Sequence, residues 1–409
     1  MKALLRRALT CGTTLGALLV VVPLTAQAAP DCFDRAVPLT VSERRLDLAA
    51  PREVLHRSGF DRFGVRFERL LCALGSRRAA EAAVSLEGKA LWRAAVDRVQ
   101  GRGPAGGDLS RADDRPLYWA RLQMTRALRQ WIPRFTVDKT VLINTLETGS
   151  RGQDSLDFAP GVKKVLVTGF DPFQLDQDIR RSNPSGANAL ALDGVTLQTP
   201  TGPARVRTAM FPVLWEPFEA GTVEKTLLPV LGKVDMFATV SQGRVGRIDI
   251  ERFNGRWHTG ADNDNATRAT TIPIPTGIPT VTPQPEFVPT TLPYAKIVAA
   301  ATGKFPVFDN TTVTEIPAGQ TTPVTSPTGP TPGSTARAGG GGSYLSNEIA
   351  YRATLLRDAL NLPIPGGHIH TPVLQFAPDN TTALTDPVFE QNRTDIVAQT
   401  TAIIVTALS

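Results

Sequence analysis

Lys164-Val-Leu-Val-Thr-Gly169 is a compact apolar run that ends in glycine and leads directly into the turn Phe170-Asp-Pro-Phe173. From Val162 onward, short β-rich runs of this kind alternate with stretches of helical spacing. Strands that alternate with helices predict a mainly parallel sheet covered on both faces. We therefore predict an α/β domain over residues 162–409, with three layers in the order α/β/α.

The other predicted elements of this domain follow the first strand. Strands are predicted at Val234–Val240, Pro306–Val313 and Gly367–Val373, and helices at Glu219–Leu231, Leu292–Ala301, Ser343–Leu360 and Asp395–Leu408. Thr and Pro concentrate at about residues 267–291 and 314–335, where their density predicts insertions of extended loop. Because parallel sheets gather functional residues at the carboxyl ends of their strands, we expect a site in the segments that follow strands.

The preceding region, residues 29–155, has the pattern of helices. Apolar residues recur at spacings of three and four, with Arg or Glu between them, in Phe67–Ala73, Arg77–Val99 and Leu117–Trp131. Its sequence contains no metal-binding spacing, nucleotide-binding loop or nucleophile motif. The predicted role of this helical N-terminal region is a layer against the main domain, and a partner-docking module is the alternative.

The first 28 residues have the pattern of a secretory signal. A basic start at Lys2, Arg6 and Arg7 precedes a mostly apolar stretch, and Ala26-Gln-Ala28 is a small-residue cleavage pattern. The apolar run is too short for a membrane anchor, which is the alternative. Cleavage removes three basic residues from a chain of net charge +6, and the remaining Arg and acidic residues are interleaved, which argues against nucleic-acid binding. We therefore predict a secreted, extracytoplasmic protein without a stable membrane anchor.

Cysteine usage agrees with export. Cys11 lies in the predicted signal, which leaves Cys32 and Cys72 as an even pair in an oxidising compartment. We predict one disulfide that ties the start of the mature chain to a helix. Two separate buried thiols are the alternative, because spacing alone does not fix the distance between two Cα atoms.

Two segments point to a substrate pocket. Phe170 and Phe173 flank a turn and can clamp a flat apolar ring, although aromatic residues in such turns usually pack the loop. Gln242, in Ser241-Gln-Gly-Arg244, can donate a hydrogen bond to a substrate carbonyl. Glu251 has an alternating, strand-like lead-in and can orient an imidazole.

Two further segments can supply a nucleophile and a base. The run Gly339–Ser343 opens a predicted helix with Ser346 in its first turn, where free backbone N–H groups suit an oxyanion. A flexible linker is the alternative interpretation of such a glycine run. His368 and His370 point to one face of a strand, but no neighbouring Cys, His or carboxylate cluster completes a metal site. We predict neither a metal nor a cofactor.

Taken together, these segments resemble the pyroglutamyl peptidase I family, also called pyrrolidone-carboxylate peptidases. The matching segments keep the family's order, outside the helical region: Thr168–Phe173, Asn183–Ser185, Gln242–Arg252, Gly341–Tyr351 and Gly367–Pro372. The resemblance implies an α/β/α cysteine peptidase that removes N-terminal pyroglutamate with a Cys-His-Glu triad and without a metal. Glu251 falls on the triad acid and His370 on the general base. The family's ring-binding positions are Phe170, Phe173 and Gln242.

This sequence departs from the family pattern in ways that bear on activity. Ser346 falls where the family's nucleophilic cysteine belongs, and a serine hydroxyl does not ionise near neutrality as a thiol does. Ala261 falls on a substrate-binding arginine of the family. The stretch from Gln242 to Glu251 is one residue shorter than the family pattern. These differences affect the nucleophile and the residues expected to recognise pyroglutamate.

The leading interpretation is an exported, pyroglutamyl-peptidase-like hydrolase that removes N-terminal pyroglutamate or a related acyl group from peptides. In it Ser346 attacks, His370 takes its proton and Glu251 orients the imidazole. The runner-up is a catalytically inactive pseudo-enzyme that binds a peptide end or a protein partner. A third interpretation is a secreted structural protein that docks through its helical region. The expected partner is a peptide with N-terminal pyroglutamate or a similar group, and oligomerisation is left open.

Overall fold

The computed structural model describes residues 32–409. The predicted secretory signal, residues 1–28, lies outside the described residues. Within them, a helical region comes first and a region of alternating strands and helices follows. Among these residues, every helix falls short of the length and apolar character that a bilayer crossing demands.

Residues 32–409 form twelve α-helices, one 3-10 turn and fourteen strands. The helices are α1 (Val41–Arg44), α2 (Ala49–Ser58), α3 (Asp61–Ala73), α4 (Arg77–Val99), α5 (Arg115–Gln130), α6 (Lys139–Gly149), α7 (Pro184–Leu192), α8 (Trp215–Glu219), α9 (Thr222–Leu231), α10 (Tyr294–Ala300), α11 (Leu345–Ala359) and α12 (Pro387–Ala407), with a 3-10 turn at Arg45–Asp47. The strands are β1 (Lys163–Phe170), β2 (Thr196–Thr199), β3 (Gly202–Phe211), β4 (Met236–Gln242), β5 (Ile248–Glu251), β6 (Phe253–Gly255), β7 (Trp257–Ala261), β8 (Thr267–Thr271), β9 (Phe287–Pro289), β10 (Val307–Asn310), β11 (Val313–Ile316), β12 (Val324–Ser326), β13 (Thr335–Ala338) and β14 (Gly366–Thr371).

The helical region has a core of its own. α4 has Ser76 as its N-cap, and the Ser76 side chain accepts a hydrogen bond from the N–H of Ala79. Its buried face includes Leu91 and Trp92, which join apolar residues of the neighbouring helices in one cluster. Cys32 and Cys72 form a disulfide with their Cα atoms 5.7 Å apart, so the start of the described chain is tied to the last turn of α3.

The central sheet is mainly parallel, as predicted. Within the described part of the chain it has seven strands in the order β10-β5-β14-β4-β1-β3-β2. β1 runs parallel to β3 and β4, β4 to β14, and β5 to β10. The antiparallel pairs are β5 with β14 and β2 with β3. The carboxyl ends of β1, β4 and β14 therefore meet at one edge of the sheet.

Helices cover both faces of this sheet, which confirms the predicted three-layer α/β/α class. Alternate side chains of a strand point to opposite faces. Leu166 of β1 joins a cluster with residues of α8, α9 and α11, whereas Val165 and Val167 join a cluster on the other face with residues of α7, α10 and α12. The helical N-terminal region precedes these layers in the chain, also as predicted.

The Thr- and Pro-rich stretches differ from the prediction of loops alone. β7 pairs with β8, and β11 pairs with β12 and β13, in small antiparallel sheets. Ile272 and Val288 are fully buried against Tyr351 and Leu355 of α11. The physical reason is that Thr and Val are β-branched and favour extended backbone, while Pro is tolerated at strand edges.

Candidate active site

A cavity of about 550 Å³ opens at the carboxyl edge of the sheet. Residues from the ends of β1, β4 and β14 and from the start of α11 line it. The structure brings five residues singled out by the sequence to this cavity: Phe170, Phe173, Gln242, Ser346 and His370. Such a position, at the carboxyl ends of parallel strands, is where α/β sheets hold their ligands.

Glu251 lies directly behind His370. The N–H at Nδ1 of His370 donates to Oε1 of Glu251 at 2.7 Å, and the carboxylate is fully buried. The pairing of β5 with β14 positions the His370 ring. In this antiparallel register, His370 lies diagonally across from Glu251 on the neighbouring strand. With Nδ1 engaged, Nε2 is the nitrogen left to accept a proton at the cavity. This is the arrangement of a general base held by a carboxylate.

Asn310 holds the other oxygen of Glu251 and was missed by the sequence reasoning. Its Nδ2 donates to Oε2 of Glu251 at 2.6 Å and to the carbonyl of Gly340 at 3.0 Å. Asn310 ends β10, whose parallel register places it opposite Glu251. The available signal was the predicted strand Pro306–Val313, which carries this polar residue at its centre.

The glycine run before α11 is closely packed against the Glu251–His370 pair. A Cβ added to Gly341 would lie 2.7 Å from Cε1 of His370, and one added to Gly340 would meet Oε2 of Glu251. The alternative of a flexible linker is therefore wrong for this run. Only residues without side chains fit against the pair at these two positions.

Ser346 is the second residue of α11 and is half-buried beside the cavity. Its Oγ donates to the carbonyl of Gly341 at 3.2 Å. The N–H groups of Asn347 and Glu348 donate to the carbonyl of Tyr344, whereas those of Leu345 and Ser346 lie ahead of the helix's own acceptors. The positive end of the helix dipole favours an oxyanion at these two N–H groups. The start of α11 thus supplies both a hydroxyl and backbone donors for a developing negative charge.

The two predicted ring-binding aromatics have different surroundings. Phe170 is buried and stacks on Phe218, with ring centroids 6.1 Å apart. Phe173 is half-buried and stacks on Tyr344, with centroids 6.2 Å apart. Phe173 and Tyr344 therefore present an aromatic wall to the cavity, and Phe170 closes it from the core side.

Polar residues complete the lining. Arg244, which the sequence reasoning gave no role, lies at the cavity with its side chain about half exposed. Its Nη1 is 2.6 Å from Oδ2 of Asp249 and 3.7 Å from Oε1 of Glu251. Ala261 lines the same cavity, and its carbonyl accepts from the hydroxyl of Tyr344 at 2.8 Å.

His368 lies beside His370 but is fully buried and contacts the protein interior. Its Nδ1 is 2.7 Å from Oγ1 of Thr239, and the two imidazole rings meet edge to face. Burial, reinforced by His370, holds the pKa of His368 well below its ordinary value, so the ring stays neutral. Across residues 32–409, no three His, Cys, Asp or Glu side chains form a group that could hold a metal ion.

The fold and site define a class: an α/β/α protein in which a buried carboxylate–imidazole pair and a serine at a helix start meet at one cavity. Sequence comparison identifies the family to which the chain belongs. Residues 25–147 match the family described as PA0049 N-terminal domain, and residues 164–290 and 303–375 match PA0049, C-terminal domain. The chain belongs to the PA0049 family. It is 33% identical to Uncharacterized protein PA0049 of Pseudomonas aeruginosa, over 91% of this chain and 90% of that protein.

Solved structures similar to the chain are pyrrolidone carboxyl peptidases. A mutant of the enzyme from Pyrococcus furiosus overlaps 60% of this chain and 98% of its own, with a TM-score of 0.39 and 24% identity. The enzyme from Thermococcus litoralis overlaps 60% of this chain and 94% of its own, with a TM-score of 0.40 and 19% identity.

Proposed function

We propose that this protein is an exported hydrolase of pyroglutamyl-peptidase type, with Ser346 as nucleophile, His370 as general base and Glu251 as the acid that orients it. The observation that carries the proposal is the buried Glu251–His370 hydrogen bond of 2.7 Å, which faces the cavity that Ser346 also lines. A buried carboxylate needs partners, and both oxygens of Glu251 have them.

The reaction begins when Ser346 attacks the acyl carbon of an N-terminal pyroglutamyl peptide. His370 takes the hydroxyl proton at Nε2 and later gives it to the leaving amine, and water then hydrolyses the acyl-enzyme. Backbone N–H groups at the start of α11 face the developing oxyanion. Before attack, the hydroxyl must turn from the carbonyl of Gly341 towards the imidazole; catalytic hydrogen bonds often form only once substrate is bound.

The cavity lining supports a pyroglutamyl or similar acyl group as the substrate. Phe173 and Tyr344 offer aromatic faces to a flat lactam ring, and Gln242 offers an amide to its polar edge. Export is supported by the signal-like sequence of residues 1–28 and by the Cys32–Cys72 disulfide, since such bonds persist in oxidising compartments.

A second candidate is a binding protein without turnover. It is favoured by the hydrogen bond of Ser346 to Gly341, which leaves the hydroxyl directed at backbone. The deciding experiment is hydrolysis of pyroglutamyl-aminomethylcoumarin by the mature protein and by its Ser346→Ala and Ser346→Cys variants. We expect turnover in the wild type that is lost in Ser346→Ala.

Activity that appears only in Ser346→Cys would contradict catalysis by serine and favour a pocket that binds the same acyl group. No hydrolysis in all three proteins would contradict the proposed function, provided that circular dichroism shows each of them folded.

A further inference from the structure

The aromatic turn of the cavity, Phe170–Phe173, is held by the helical region. Asp171 lies in this turn, and its side chain is about 1% exposed. Nη1 of Arg121, in α5, donates to Oδ1 of Asp171 at 2.8 Å, and Nη2 of Arg151, just after α6, donates to Oδ2 at 2.6 Å. Each carboxylate oxygen thus has its own guanidinium from the helical region.

The charges of this cluster fit its burial. Burial opposes ionisation of Asp171, but Arg121 and Arg151 outweigh it and hold the pKa of Asp171 below its ordinary value. Burial, with Arg121 nearby, lowers the pKa of Arg151 to about 10. Glu147 pairs with Arg151 from the preceding turn of α6 and supplies a second negative charge. Two cations and two anions therefore balance around the turn.

The backbone of the same turn is fixed from other sides. The carbonyl of Asp171 accepts from Nδ2 of Asn183 at 2.9 Å, and the N–H of Asn183 donates to Oδ2 of Asp114, at the start of α5, at 3.0 Å. The carbonyl of Pro172 accepts from Nδ2 of Asn263 at 2.8 Å. Oδ1 of Asp114 also accepts from the hydroxyl of Ser182.

The helical region also reaches the cavity itself. Arg45 lies in the 3-10 turn after α1, is buried, and lines the cavity. Its Nη1 donates to the carbonyl of Asn263 at 2.7 Å, and its Nη2 donates to Oδ1 of Asp176 at 2.7 Å. The helical region thus forms part of the cavity wall.

We propose that Arg121 and Arg151 are positioning residues for the acyl-binding pocket, acting through Asp171 on the turn Phe170–Phe173. The proposal rests on the proposed function, because it concerns how the same cavity seats its acyl group. It gives the N-terminal helices a specific task in substrate binding. The residues assigned to bond cleavage lie on β5, β14 and α11. Within residues 32–409, the hydrogen bonds and ion pairs of the two arginines go to other residues.

The test uses the full mature protein and its Arg121→Lys variant. The guanidinium of Arg121 donates to Asp171 and to two atoms of Ser150, its Oγ and its carbonyl oxygen. Lysine keeps the positive charge but lacks the planar group that makes these hydrogen bonds together. Arg98→Lys is the matched control, since Arg98 is equally buried in the helical region. Its hydrogen bonds within the described residues go to the carbonyls of Ala105, Leu109 and Arg111.

The first readout is hydrogen exchange, which is independent of activity. We expect amides of residues 170–183 to exchange about tenfold faster in Arg121→Lys than in Arg98→Lys or the wild type. The second readout is the kinetics of pyroglutamyl-aminomethylcoumarin hydrolysis. KM should rise about tenfold in Arg121→Lys while kcat stays within about threefold, because binding is loosened and the triad is not.

Asp171→Asn, which keeps the shape and removes the charge, is a second variant with the same expected result if Arg121→Lys does not fold. Unchanged exchange in residues 170–183, or faster exchange with unchanged KM, would overturn the positioning role. Absence of turnover in the wild type would contradict the proposed function instead, and hydrogen exchange would then decide whether the arginines hold the turn.

Discussion

At the scale of single residues, the site contains buried charged groups that are stabilised by hydrogen-bond partners. Glu251 is fully buried, yet His370 and Asn310 occupy its two oxygens. An isolated carboxylate at such a depth would be strongly destabilising. Removal of either partner therefore leaves a charge that the interior cannot solvate, so the position of Glu251 depends on Asn310 as well as on His370.

Asp114 is a second buried carboxylate, and it is poorly compensated. Burial, together with the charge of Asp113, raises the pKa of Asp114 to about 6 from an ordinary 3.8. The folded protein therefore binds this proton more tightly than the unfolded chain does. Protonation of Asp114 therefore stabilises the fold. This contribution is complete below pH 3.8, the ordinary pKa of an aspartate, and is lost as the pH rises through about 6.

The Asp114→Asn variant should remove this pH dependence. Asparagine keeps the shape and can still accept from the N–H of Asn183, but it carries no charge. Relative to wild type, we expect the variant's free energy of unfolding to rise by about 1–3 kcal/mol between about pH 4 and pH 7. Urea unfolding of both proteins across this range measures it. A difference that stays constant with pH would refute the role assigned to Asp114.

At the scale of elements, the glycine run before α11 determines how closely the helix start approaches the base. Gly341 lies against the His370 ring, and Gly340 lies against Glu251. Any side chain here would displace one member of the pair. Glycine is therefore required at these two positions so that the helix start can pack against Glu251 and His370.

Gly341→Ala should consequently cost activity more than stability. The added Cβ would fall 2.7 Å from Cε1 of His370, so the ring must move. A displacement of this kind lowers kcat by roughly 100-fold, measured with pyroglutamyl-aminomethylcoumarin. Gly232→Ala is the control, because Gly232 is exposed and has open space at its Cβ position. Equal kcat in the two variants would show that the contact with His370 is unimportant.

The elements also show what the sequence could predict. The alternation of Val165, Leu166 and Val167 with helical stretches was sufficient for the three-layer class, and the motifs pointed to five residues that meet at one cavity. Asn310 was missed because its role depends on strand pairing with Glu251, 59 residues away in the chain. Ile272 and Val288 were placed in loops because their proline-rich surroundings conceal a small core.

At the scale of the whole molecule, the two regions form one pocket. Periodicity predicted a helical layer, but no local pattern connects Arg45 with Asp176 or Arg121 with Asp171, because these contacts form only when the regions pack together. Family matches to both parts of PA0049 agree with a chain in which the helices and the α/β region occur together.

The central claim, that Ser346 is a nucleophile activated by His370, is tested most directly by labelling with a serine-directed fluorophosphonate and locating the adduct by peptide mapping. We predict labelling of Ser346 in the folded wild type, no labelling of Ser346→Ala, and labelling of His370→Ala slowed by about 100-fold or more. An unlabelled wild type, or a label that persists in Ser346→Ala, would contradict it.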